Sequence, residues 1–216
     1  MDKSKWLTGA TLGLFTAPDI TAAQLAERGW SAANLQQFLR SGYSPSGTAF
    51  DEMHPVIANS TQYLSDADAK AMVSFLLGDS PPAPKPVAAA APDTGTRLAA
   101  GQSHYMALCA SCHGSQGLGR QLTMPPLQGN STVRQADGRN LVLSILIGLP
   151  KRTAAESGPT LLPGMPGFAN ELDDQAVADL ANYVRAQMGG TNADITTARA
   201  AELRAAAQKA RHPIAP

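Results

Sequence analysis

Cys109-Ala110-Ser111-Cys112-His113 is the segment of this 216-residue chain whose residue types and spacing can do chemistry. On a helix the two thiols and the imidazole fall at i, i+3 and i+4, on one face. That is the spacing at which c-type haem is attached. Each thiol adds to a vinyl group as a thioether while the adjacent imidazole reaches the iron from the same side. A thioredoxin-like thiol pair needs a βαβ setting, which the sequence does not suggest. Half of a zinc site needs further Cys or His ligands, and the other histidines, His54, His104 and His212, stand at no zinc-motif spacing. Two incidental buried cysteines would leave the adjacent histidine without a role. The residues themselves favour one covalent haem c on Cys109 and Cys112, with His113 as an iron ligand.

An iron that shuttles electrons without binding oxygen or substrate needs a second axial ligand, and a thioether raises the reduction potential. Met165 is the leading candidate, because Gly164-Met165-Pro166-Gly167-Phe168 suits a rigid loop that presents sulfur to one haem face. Met124 is the runner-up, and being only 11 residues beyond His113 it would have to turn around the ring edge. Met106 and Met188 fall within helical patterns and are expected to pack. The second ring nitrogen of His113 needs a hydrogen-bond partner, and the Pro125 carbonyl is the expected one.

These residues need a scaffold, and the composition bounds it. Seventeen basic residues balance seventeen acidic ones, with a pI near 6.9, so no strong field marks a nucleic-acid binder. The length allows one or two domains at roughly 100–150 residues each, and 44% apolar residues suffice for packed cores in both. The uncharged stretch from Asn140 to Pro150 is far short of the roughly 18–20 residues that span a bilayer. The proline-dense run from Asp79, with Pro81, Pro82, Pro84, Pro86 and Pro92, reads as an extended linker over 79–93.

On either side the apolar spacing is helical. Helices are expected from Ser31, near Thr94 and near Gly138. Two more follow a repeat with an offset of 108 residues, in which Ser65 and Asp173 are matching N-caps. In that register Ala69, Met72, Val73 and Leu76 overlie Val177, Leu180, Ala181 and Val184, and Phe75 overlies Tyr183. The loops Gly114–Gly129 and Pro150–Gly167 are too apolar for solvent linkers and are expected to wrap a buried group. The fold class is all-α.

Gly101 and Tyr105 before the CxxCH, Pro125-x-Leu127 after it, Met165 in its loop and Leu180-x-x-Tyr183 together resemble class I cytochrome c over roughly Thr94 to Gly189. The resemblance implies that the first and last helices of that domain cross, with contacts among Gly101, Tyr105, Leu180 and Tyr183. Over the whole chain, Ala17-Pro18-Asp19-Ile20-Thr21, Gly29-Trp30-Ser31, Phe38-Leu39-Arg40-Ser41-Gly42, Met53, and Ser60 to Asp68 are similar to the cytochrome c subunit of membrane-bound alcohol and gluconate dehydrogenases. Pro125 to Asn130 and Pro166 to Ala169 fit the third of the three haem domains of that family. The resemblance implies that 94–190 form a complete class I domain, and the Ala-rich composition beyond it reads as a tail helix within 191–216. Residues 1–78 correspond to the later part of a second domain that lacks its CxxCH.

Shifting Cys109 back by the repeat offset reaches Met1, so the missing haem attachment is expected at or beyond the beginning of the chain, as in an N-terminally truncated fragment. Met53 is then an orphan axial ligand. Without a haem there, Trp6, Leu12, Leu14, Phe15 and Trp30 are expected to lose their central packing partner. The competing reading of the N-terminus is a secretory signal, with Trp6 to Ala17 uncharged, but the segment is weakly apolar and no A-x-A site follows. The Ala-rich segment Asp194 to Arg211 is expected to form a solvated helix with little apolar face, with docking to anionic lipid or a partner subunit as the alternative.

The resemblance implies an electron-transfer subunit that performs no bond chemistry itself. It would pass electrons from a flavin- or quinone-dependent dehydrogenase to ubiquinone or a terminal oxidase. It would work on the periplasmic side of the bacterial inner membrane, where c-type haem is matured. Two other classes stay open on sequence: a haem-based ligand binder or peroxidase-like enzyme with an open distal site, and a haemless assembly remnant.

Overall fold

A computed structural model describes residues 5–88, 98–121, 123–151 and 163–210. Strands among these residues are confined to two short antiparallel pairs. Strand β1 (Ala10–Leu12) pairs with β2 (Phe15–Ala17). Helix α1 (Ala22–Glu27) and α2 (Ala32–Ser41) follow, the latter capped by the Ser31 hydroxyl, which accepts from the Asn34 amide. Strands β3 (Tyr43–Ser44) and β4 (Gly47–Thr48) form the second pair. Helix α3 (Met53–Asn59) and α4 (Asp66–Leu77) complete the first unit. Leu25, Trp30, Leu35, Leu39, Val73 and Leu77 form its core, and the Trp30 and Phe38 rings meet edge to face.

Helix α5 (Ala99–Leu108) opens the second unit, so the helix expected near Thr94 is present from Ala99, and Thr94 itself lies outside the described residues. A single turn, α6 (Ala110–His113), follows. Helix α7 (Arg139–Ile147) has Gly138 as its N-cap and is buried along its length. Helix α8 (Asp174–Val184) ends in a π-helical turn over Arg185–Gly189, and α9 (Thr197–Lys209) is the last element. The two N-caps expected from the repeat form alike: Ser65 Oγ accepts from the Asp68 amide and Asp173 Oδ1 from the Ala176 amide, at 3.1 and 2.8 Å.

Helices α5 and α8 cross where Gly101 removes the β-carbon that would meet Asp179 and Tyr183, and the Tyr105 and Tyr183 rings lie 5.5 Å apart. Leu180 is fully buried in the same core. The matching face of α4 has no such cover among the described residues: Met72 and Phe75 are 37% and 71% exposed where Leu180 and Tyr183 are 0% and 9%.

Two expectations are corrected. The tail helix is docked rather than solvated: Ala200, Leu203 and Ala207 are buried in the main core. Its Arg204 donates to the Ala169 and Leu172 carbonyls and pairs with Asp174. Three small or medium apolar residues on one face suffice because Ala lets the helices approach closely; Arg211 and His212 lie outside the described residues. The N-terminal apolar residues divide. Leu14 and Phe15 are buried against the second unit, where Asn140 exchanges hydrogen bonds with both polar groups of the Thr16 backbone at 2.9 and 2.8 Å. Trp30 is buried in its own unit, while Trp6 and Leu12 are about half exposed.

The proline-rich segment is extended over 79–88, with 89–93 outside the described residues, yet it does not hang free. The Lys85 amide donates to Ala26, and Arg134 of the second unit donates to the carbonyls of Lys85, Pro86 and Glu27.

Candidate cofactor site

The CxxCH segment is one closed helical turn. The Cys112 and His113 amides both return to the Cys109 carbonyl, at 3.2 and 2.9 Å, and Gly114 stops the turn at a φ of +78°. The two thiols and the imidazole therefore share a face and line one cleft. Cys109 is buried, and burial first, then the neighbouring Cys112, pushes its thiol up to about 11. Cys112 is exposed at the rim.

His113 is buried, with Nδ1 2.9 Å from the Pro125 carbonyl oxygen. A carbonyl can only accept, so Nδ1 carries the proton and Nε2 keeps its lone pair. Desolvation lowers the His113 pKa while the bond to Pro125 opposes it, so the ring is neutral near pH 7. The chain reaches Pro125 through a tight reversal in which Arg120 and Met124 exchange both backbone hydrogen bonds at 2.8 Å. Gly119 makes that reversal possible, since a β-carbon there would stand 2.3 Å from the Met124 carbonyl oxygen.

Across the cleft, Leu149 and Met165 exchange backbone hydrogen bonds at 2.8 Å in each direction. Gly148 has a φ of +70°, and its β-carbon would stand 2.3 Å from the Met165 carbonyl oxygen. These constraints fix the Met165 backbone at the cleft; residues 152–162 of the expected wrapping loop, and Leu122 of the other, lie outside the described residues. Leu108, Leu149, Pro150 and Phe168 make the lining apolar.

The structure brings Cys109, Cys112, His113, Pro125, Met124 and Met165 to one cleft. Met53 is not among them. It lines a second, apolar cavity of about 570 Å³ with Trp30, Phe38 and Leu39. Met188 is buried in the core and Met106 is half exposed on α5. His104 is half-buried on the same helix, and no three His, Cys, Asp or Glu residues converge on a metal site among the described residues. No βαβ unit occurs there either.

Sequence reasoning missed the third wall of the first cleft. The first unit supplies it with Ser41, Gly42, Thr48, Ala49, Phe50 and His54, and Thr48, Ala49 and Phe50 line both cavities. No local signal could reveal this, because it depends on how lining segments more than fifty residues apart, in two different units, come together.

The donor set fits a c-type haem: two thiols and a neutral imidazole one turn apart, the ring held by a backbone carbonyl, and a thioether whose backbone is pinned to Leu149 in the same apolar cleft. A helix-borne CxxCH within crossed first and last helices defines the cytochrome c class, and residues 98–187 match the cytochrome c family, so the chain carries a cytochrome c domain.

Over nearly its whole length the chain is similar to cytochrome subunits of bacterial dehydrogenases. It is 32% identical over 228 residues to the fructose dehydrogenase cytochrome subunit of Gluconobacter japonicus, covering 94% of this chain and 46% of that one. It is 33% identical over 193 residues to the cytochrome c subunit of the quinone alcohol dehydrogenase of Gluconobacter oxydans, covering 84% and 39%. The gluconate 2-dehydrogenase cytochrome c subunit of Pantoea cypripedii is 33% identical over 187 residues, covering 81% and 41%. The chain thus spans less than half the length of these relatives. No helix among the described residues is long and apolar enough to cross a membrane.

Proposed function

We propose that this chain is a non-catalytic electron-transfer subunit whose haem c is attached through Cys109 and Cys112. The observation that carries the reading is the single cleft holding Cys109, Cys112, His113 and Met165, with Pro125 fixing the imidazole. A haem bound there supplies an Fe(III)/Fe(II) couple. His113 would hold the iron through Nε2, and its hydrogen bond to Pro125 orients the ring and raises its basicity. Met165 would hold it through its soft sulfur, which favours the reduced iron. The apolar lining keeps water from the centre, which also favours the state of lower charge.

The names of the relatives support a dehydrogenase partner, and our reading goes further: the electron donor is a flavin- or quinone-dependent dehydrogenase subunit, and the acceptor is ubiquinone or a terminal oxidase. The place of work is the periplasmic side of the inner membrane. We read 94–190 as the complete domain, 79–93 as a linker, 191–216 as a tail helix, and 1–78 as part of a second cytochrome c domain. The apolar cavity lined by Met53 supports a haem site in that unit. The chain's two cysteines are both in the second unit, so thioether partners for such a haem are not in this sequence.

Intact mass and a pyridine haemochrome spectrum of the full chain, matured in a periplasm with c-type maturation factors and an added export signal, test the reading. One covalent haem is expected. A chain that emerges without covalent haem would overturn it.

A further inference from the structure

The imidazole of His54 is the one buried polar side chain lining the cofactor cleft that the proposed ligation leaves unused. His54 is 9% exposed, stands at the second position of α3, and lines the cleft from the side of the first unit. Its backbone amide donates to the Asp51 carbonyl at 3.1 Å, but its ring has no hydrogen-bond partner among the described residues. A buried imidazole without a partner forfeits the hydrogen bonds it makes in water. The two other polar side chains on that wall, Ser41 and Thr48, are only half-buried, and the Ser41 hydroxyl donates to a neighbouring carbonyl and accepts from the Tyr43 amide. His54 is therefore built to meet something that enters the cleft.

A c-type haem offers an imidazole two kinds of partner, the iron and the carboxylates at its edge. In the proposed ligation His113 from the CxxCH turn and Met165, whose backbone is pinned to Leu149, would hold the iron between them. What remains for a third buried donor is a carboxylate. The wall that carries His54 is also firmly held, since the Phe50 ring packs edge to face on Phe15 at 5.4 Å, and Phe15 is buried in the core of the second unit.

We propose that His54 is a positioning residue given by the first unit to the haem site of the second, donating a ring N–H to a carboxylate of the bound haem. The inference rests on the haem reading above. Two consequences follow from the chemistry. The hydrogen bond draws charge from the carboxylate, so the iron feels less negative potential and reduction becomes easier. The same bond ties α3 to the cofactor of the other unit, so haem binding and docking of the two units reinforce each other.

The test compares the full chain with His54→Leu and His54→Gln after maturation with covalent haem, at pH 8, by spectroelectrochemistry and by redox-difference infrared spectroscopy of haem labelled at its carboxylates. His54→Leu is expected to keep one covalent haem and an unchanged methionine-to-iron band, with a lower midpoint potential and a shifted carboxylate band. His54→Gln, which keeps an N–H donor, is expected to restore both most of the way. An unchanged potential and carboxylate band in His54→Leu would overturn the inference, as would a failure of Gln to rescue. A change in the axial-ligand spectrum of His54→Leu would also overturn it, since His54 would then be acting on the iron. Wild-type chain without covalent haem would remove the underlying function as well, which separates the two failures.

Discussion

A β-carbon placed on Gly101 would stand 2.1 Å from the carbonyl oxygen of Asp179 and 2.7 Å from the Tyr183 β-carbon. Helices α5 and α8 are in backbone contact there, and the obstruction is main chain, which cannot swing away. Replacing Gly by Ala inside a helix ordinarily gains about 1 kcal/mol. Here the overlap forces α5 and α8 apart and the sign reverses. Gly101→Ala should lower stability by about 1–3 kcal/mol, read as a lower urea midpoint with an unchanged slope. An equal or higher midpoint would show that the helices can separate without cost.

Met165 and Met124 line the same cleft, but their backbones are held differently. Met165 is held by backbone pairing with Leu149, in a segment remote in sequence from the CxxCH turn, whereas Met124 directly precedes Pro125, the partner of His113. Met165→Ala should abolish the methionine-to-iron charge-transfer band and lower the potential, and Met124→Ala should leave that band intact. The reverse pattern would reassign the axial ligand to Met124.

Before haem is attached, the two thiols should differ in reactivity. Cys112 is exposed, while Cys109 is buried with its pKa raised to about 11. A raised thiol pKa leaves the group protonated and slow at neutral pH, and the thiolate gains as pH climbs towards that value. In the haem-free chain at pH 8, iodoacetamide should label Cys112 first, and peptide mass mapping should show Cys109 labelling catching up only as pH approaches 11. Equal rates at pH 8 would mean that the turn opens in the haem-free state.

The sequence carried the cofactor turn and the caps at Ser65 and Asp173, because each depends on residues within a few positions of one another or on a repeat that can be aligned, whereas the crossing at Gly101 was expected only from the resemblance to class I cytochrome c. Contacts between distant segments were not legible in this way. Arg185 sits in a helical pattern like any surface arginine, yet it is almost fully buried. Its guanidinium donates to the carbonyls of Gln135, Ala136 and Asn192 and meets Asp194, partners set by a π-helical turn that no periodicity announces. The docking of α9 was hidden for a related reason. Its alanines give a weak apolar stripe, and what buries them is the shape of α7 and α8. His54 read only as a residue without metal-site spacing, since the wall it joins exists only when the two units meet.

Arg134 makes that meeting specific. Its guanidinium donates to the Glu27 carbonyl at 2.7 Å, to Lys85 at 3.0 Å and to Pro86 at 3.4 Å, so one side chain of the second unit holds both the first unit and the connecting strand. Burial lowers its pKa and Glu27 opposes that, but a guanidinium stays charged at any working pH. Hydrogen bonds from a charged donor contribute about 1.5–3 kcal/mol, and a lysine could reach only part of the set with its single nitrogen. Arg134→Ala should therefore free the segment over 79–88 while leaving each core intact. The Lys85 amide, which donates to Ala26 at 2.8 Å, reports this directly. Its hydrogen exchange should accelerate by about tenfold or more, with Arg134→Lys intermediate and the amides of α8 unchanged. If the Lys85 amide keeps its protection, the docking of the two units rests on the Phe15 and Asn140 contacts instead. If the α8 amides accelerate with it, Arg134 is holding up the core of the second unit and not the junction.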